Sequence, residues 1–118
     1  MESSTSSPNG AVQEFYELYP YPQWKHLDPW AAAALAEPLK RAGQAGQRVL
    51  IAGCGTGRWA CHYAATFPRA EILAIDISRS SLAFAQRQKC KFGLHNIQFQ
   101  HADLRSWVAP HSFDFIEC

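Results

Sequence analysis

The chain has 118 residues, 47% of them hydrophobic and 18% charged, a balance that fits one small folded domain and excludes disorder except locally. Eleven basic and ten acidic side chains leave a formal net charge of +1 at pH 7, which gives no electrostatic ground for a nucleic-acid or membrane partner. The cysteines and histidines fall without metal-ligand spacing, so no metal is expected, and Cys54, Cys61, Cys90 and Cys118 read as buried or half-buried free thiols of a reducing compartment.

In chain order, residues 1–10 (MESSTSSPNG) hold almost nothing to bury and predict a disordered tail. That start also lacks the basic and apolar regions of a signal peptide, and no apolar run reaches membrane-spanning length, so a cytoplasmic protein is expected. Residues 11–46 form an N-terminal helical and aromatic segment. Val12, Phe15, Tyr16 and Tyr19 recur at helical spacing until Pro20 and Pro22 turn YPYPQW into an extended stretch. Asp28 and Pro29 then read as N-cap and first residue of a second helix, bent near Pro38 and ended at Gly43.

From residue 47 the pattern changes. Arg48 to Ala52 is a short apolar strand, and after a glycine loop Ala60, Tyr63, Ala64 and Phe67 share one helix face, closed by Pro68. Glu71 to Asp76 is a second buried strand. Ser78 caps a helix to about Cys90, with Gly93 as its stop. Ile97 and Phe99 mark a third strand, and SFDFIEC a fourth. This alternation predicts an α/β fold, the first half of a doubly wound parallel sheet with both connecting helices on one face.

The loop GCGTG asks which nucleotide it serves. A dinucleotide loop needs GxGxxG, yet the position for its last glycine holds Arg58, and no GK[ST] follows to make a P-loop. Asp76 ends the second strand, where an acid accepts from ribose hydroxyls, and Asp103 ends the third, where an acid accepts from an adenine amino group. Two acids without phosphate-binding apparatus suit an adenosine that carries no phosphate.

VLIAGCGTG with AIDIS, then HADL and FDFIEC, resembles the class I S-adenosylmethionine-dependent methyltransferases over about residues 48–118. FYELYPYPQW upstream resembles a segment of bacterial methyltransferases attached to tetratricopeptide repeats. The resemblance implies a Rossmann-like sheet, truncated here after its fourth strand, over residues 47–118, and S-adenosyl-L-methionine as cofactor. It places Gly53, Cys54, Gly55 and Gly57 at the methionine portion, Asp76 on the ribose, and Ile77 against the adenine. Asp103 and the backbone of Leu104 would meet the adenine edge, with Glu117 and Cys118 near the methionine end. No residue is assigned as a catalytic base, and the methyl acceptor is open.

Two alternatives remain at this stage: a nicotinamide-dependent oxidoreductase or epimerase, disfavoured by Arg58 and Asp103, and a non-catalytic interaction module built on the same half-sheet. As a cofactor-binding half cut in mid-sheet, the chain is expected to bind its cofactor weakly without turnover. It is also expected to leave one sheet face largely bare, which invites self-association or a missing C-terminal half. Tyr19, Tyr21 and Trp24 serve either as a lid or as packing, with packing favoured, and Trp59 and Trp107 read as packing residues.

Overall fold

The computed structural model describes residues 23–27 and 37–117. The expected tail, the helix from Ala11, Tyr19 to Pro22, the cap at Asp28 and Pro29, and Cys118 lie outside the described residues. The described elements are α1 (Glu37–Gln44), β1 (Arg48–Ala52), α2 (Arg58–Thr66), β2 (Glu71–Asp76), α3 (Arg79–Phe92), β3 (Ile97–His101) and β4 (Phe115–Glu117). None of these helices is long and apolar enough to cross a membrane.

The strands form one parallel sheet in the order β3-β2-β1-β4, with Ile51 opposite both Ala74 and Glu117, and Ala74 opposite Phe99. Parallel neighbours cannot be joined by tight hairpins, which is why α2 and α3 carry the chain back between strands. Alternation divides the strand residues between two faces. Val49, Ile51, Ile72, Ala74 and Ile97 meet Ala60, Tyr63 and Ala64 of α2 and Phe67 at its C-cap, together with Leu39 and Ala42 of α1. α3 packs beside α2 against β3. Both connecting helices therefore lie on one face, as the alternation predicts.

Leu50, Ala52 and Ile75 point to the other face and are nonetheless buried. The expectation of a largely bare face is corrected here. The β3–β4 link is too short for a long helix, but it crosses that face and lays Trp107 and Phe113 over these three residues. An uncovered strip remains on the edge strand, where Ile116 is 57% exposed.

The helix ends show local chemistry. Ser78 caps α3 by accepting from the Ser81 N–H at 3.2 Å, and Gly93 stops it at φ 64°, with the Leu94 N–H reaching the Lys89 carbonyl at 3.1 Å. At α1 the expected stop falls one residue early: the helix runs through Gly43 to Gln44, and Gly46 supplies the left-handed turn at φ 72°. Gly43 serves packing instead, since a Cβ there would meet the Phe67 ring and stand 2.8 Å from the Tyr63 hydroxyl.

Candidate ligand-binding site

Because β1, β2 and β3 are parallel neighbours, their carboxyl ends lie side by side and the loops that follow converge on one sheet edge. There a cavity of about 220 Å³ is lined by Gly53, Ile75, Asp76, Ile77, Ala102, Asp103 and Leu104. Five of the nine site residues expected from sequence line it: Gly53, Asp76, Ile77, Asp103 and Leu104. Ile77 and Leu104 stand 48% and 54% exposed, so two large apolar side chains border the opening. A larger cavity of about 420 Å³ opens at the opposite ends of the strands, beside Arg48, Glu71 and His111, and includes none of the expected site residues.

The glycine loop is stitched to β2. The N–H groups of Gly53 and Cys54 both donate to the Ile75 carbonyl, at 2.8 and 3.0 Å. The Asp76 carboxylate then bridges two loops, accepting from the Gly55 N–H at 3.1 Å and from the Ser78 N–H at 3.0 Å. An ionised carboxylate offers about four lone-pair sites, so Asp76 keeps acceptor capacity beyond these two bonds. His101 adds a further tie, its Nε2 donating to the Ile77 carbonyl at 2.9 Å.

Gly53, Gly55 and Gly57 all take positive φ, at 74°, 58° and 79°. They differ in their surroundings. A Cβ on Gly53 or Gly55 would meet nothing within 4 Å, whereas one on Gly57 would stand 2.8 Å from the Ala85 Cβ and 3.1 Å from the Phe99 ring. Gly57 thus lies behind the loop, where it lets α2, α3 and β3 approach closely. Gly55 touches the cavity only through its bond to Asp76. Cys54 packs its half-buried side chain toward the helical core, and burial, reinforced by the Asp76 charge, pushes its thiol up to about 12.

Asp103 has a partner that the sequence reading did not include. Arg105 grips its carboxylate with Nε at 3.1 Å from Oδ1 and Nη2 at 2.7 Å from Oδ2, and the Arg105 backbone N–H adds a bond of 3.0 Å. These hydrogen bonds hold the Asp103 carboxyl down at about 2. The spacing D-x-R in HADLRSW was the available signal for it. Trp24 was weighed as lid or packing, and it packs: it is 6% exposed against His62, Phe84 and Phe92.

A family profile described as "Methyltransferase domain" matches residues 49–118. An uncharacterized protein of Synechococcus sp. is 37% identical over 123 aligned residues, which cover 92% of this chain and 29% of that protein. A malonyl-[acyl-carrier protein] O-methyltransferase of Bacillus anthracis is 31% identical over 98 residues, covering 81% of this chain and 35% of its own length. Coclaurine N-methyltransferase, solved with N-methylheliamine and SAH, shares the fold at a TM-score of 0.58 and 21% identity, over 90% of this chain and 25% of that one. The chain thus spans well under half the length of the relatives it matches.

Proposed function

This chain belongs to the methyltransferase-domain family, and from that premise we propose that it is the cofactor-binding part of an S-adenosylmethionine-dependent methyltransferase. The observation that carries the reading is the single cavity shared by Gly53, Asp76, Ile77, Asp103 and Leu104. Its lining fits an adenosine. Two carboxylates and several apolar side chains surround it, and among the described residues no lysine, arginine or histidine lines it to receive a phosphate. The open space where a Gly53 Cβ would stand leaves room for a ligand at the backbone.

When bound, S-adenosylmethionine supplies an electrophilic methyl group on a sulfonium centre. The chain's own residues bind and orient. Asp76 would hold the ribose hydroxyls with its spare lone pairs, and Ile77 and Leu104 would flank the base and exclude water from it. Asp103, kept ionised by Arg105, would accept from the exocyclic amino group. The backbone of Gly53, Cys54 and Gly55 would form the wall toward the methionine portion, with Gly57 supporting it from behind. Holding the donor in one orientation is the main contribution such a domain makes, worth on the order of 7 to 11 kcal/mol in well-aligned reactions.

The same reading includes a cytoplasmic setting, which suits the free thiols Cys54 and Cys61. It also includes self-association along the uncovered strip at Ile116. Sedimentation velocity that finds a monomer at every concentration overturns that last part.

Isothermal titration of the full chain with S-adenosylhomocysteine and, separately, with NAD tests the central claim. Binding of the first and none of the second is expected. Binding of NAD alone would restore the nicotinamide alternative, and binding of neither favours the interaction module.

A further inference from the structure

Residues 23–27 form no regular element, yet they are fastened to the back of the glycine loop. The Trp24 indole stacks on Phe92 with centroids 5.8 Å apart and planes 8° from parallel. From there its Nε1–H donates to the Thr56 carbonyl at 3.0 Å, a buried bond between residues far apart in the chain. The Trp24 carbonyl accepts from Gln88 Nε2 at 2.6 Å, and the Lys25 carbonyl from Lys91 Nζ at 3.1 Å, so α3 anchors the segment in turn.

Thr56 is the residue between Gly55 and Gly57, and it is 1% exposed. A loop with three left-handed glycines has unusual backbone freedom, and freedom in a binding loop is lost when a ligand orders it. On the front, Asp76 and Ile75 tie the loop to β2. On the back, the Trp24 indole reaches the loop's carbonyl at position 56. We propose that Trp24 is a positioning residue for the ligand site: its indole N–H on the Thr56 carbonyl, braced by Gln88, holds the Gly53–Gly57 loop in the conformation that keeps the cavity open. The proposal rests on the cofactor reading above for the identity of the ligand, and not for the tether itself.

Trp24→Phe keeps an aromatic ring against Phe92 and removes the donor. Amide hydrogen exchange on the ligand-free full chain then compares Gly55 and Gly57 with Ile72, whose N–H donates to the Asn96 carbonyl at 2.9 Å in the sheet. Exchange at Gly55 and Gly57 is expected to speed up about fivefold or more with Ile72 unchanged, the mark of a locally loosened loop. The dissociation constant for S-adenosylhomocysteine should rise by a similar factor of about five. A merely structural Trp24 would accelerate all three amides together, and that result, or no change at Gly55 and Gly57, overturns the proposal. Gln88→Met, which cuts the brace and leaves the indole, should give the same pattern at smaller amplitude and decides the matter if Trp24→Phe does not fold. Selective loosening of Gly55 and Gly57 in a chain whose wild type takes up no S-adenosylhomocysteine would uphold the tether and sink the cofactor reading.

Discussion

Gly57→Ala separates two tasks that identical letters perform in GCGTG. At φ 79° an alanine pays the left-handed penalty of about 1 to 2 kcal/mol. Its methyl would also stand 2.8 Å from the Ala85 Cβ and 3.1 Å from the Phe99 ring, and overpacking of this kind costs about 1 to 3 kcal/mol more. The sum, roughly 2 to 5 kcal/mol, is a large share of the stability of a small domain. Gly53→Ala carries only the conformational part, because its new methyl meets nothing within 4 Å. Urea unfolding followed by far-ultraviolet circular dichroism should therefore place Gly57→Ala well below Gly53→Ala. Adding Ala85→Gly to Gly57→Ala removes the nearest clash, so the pair should couple favourably by on the order of 1 kcal/mol. In titrations with S-adenosylhomocysteine the order reverses, since only the Gly53 methyl enters the cavity wall. Equal stability losses at the two glycines, with no coupling to Ala85, would refute the reasoning.

Asp76→Asn replaces one of the two accepting oxygens with an amide nitrogen that turns its donors toward either the Gly55 or the Ser78 N–H group, so binding of S-adenosylhomocysteine should weaken about tenfold or more by titration calorimetry. The Asp103 carboxyl sits at about 2 in the folded chain against an ordinary 3.8. A depressed carboxyl contributes stability above its unfolded value, and that contribution fades as pH falls from 3.8 through 2. Carbon-detected NMR of the aspartates in Arg105→Gln should show Asp103 returning upward toward the ordinary value. Burial pushes the Cys54 and Cys61 thiols up to about 12, whereas Cys90 is exposed. Iodoacetamide at about pH 8, read by peptide mass mapping, should accordingly label Cys90 and spare the other two.

What could be read from sequence was local. β1 and β2 begin and end where expected because polar or glycine residues bracket each apolar run, and α3 is bounded by a capping serine and a left-handed glycine. The site followed from strand order, since parallel strands put Gly53, Asp76 and Asp103 on one edge once β1, β2 and β3 are neighbours. What escaped was set by tertiary neighbours. Gly43 looked like a stop because its role depends on Phe67, the residue that caps α2. Cys90 was expected to be at least half-buried, and it lies on the outer side of α3, where the short helical period leaves both options open. His62 is buried because Trp24 covers the side of α2 that periodicity alone would leave to solvent. The cover over Leu50 comes from a link with no periodicity at all.

The strand order has a consequence for synthesis. β1 lies between β2 and β4, yet it leaves the ribosome before either of them, and its second partner is made only after α2, α3 and β3. While α2, α3 and β3 are being made, one edge of an almost wholly apolar strand has no backbone partner. Nascent chains held at that stage are the ones most exposed to aggregation, and the Asp114 N–H closing onto the Arg48 carbonyl at 2.8 Å marks the moment when that hazard ends.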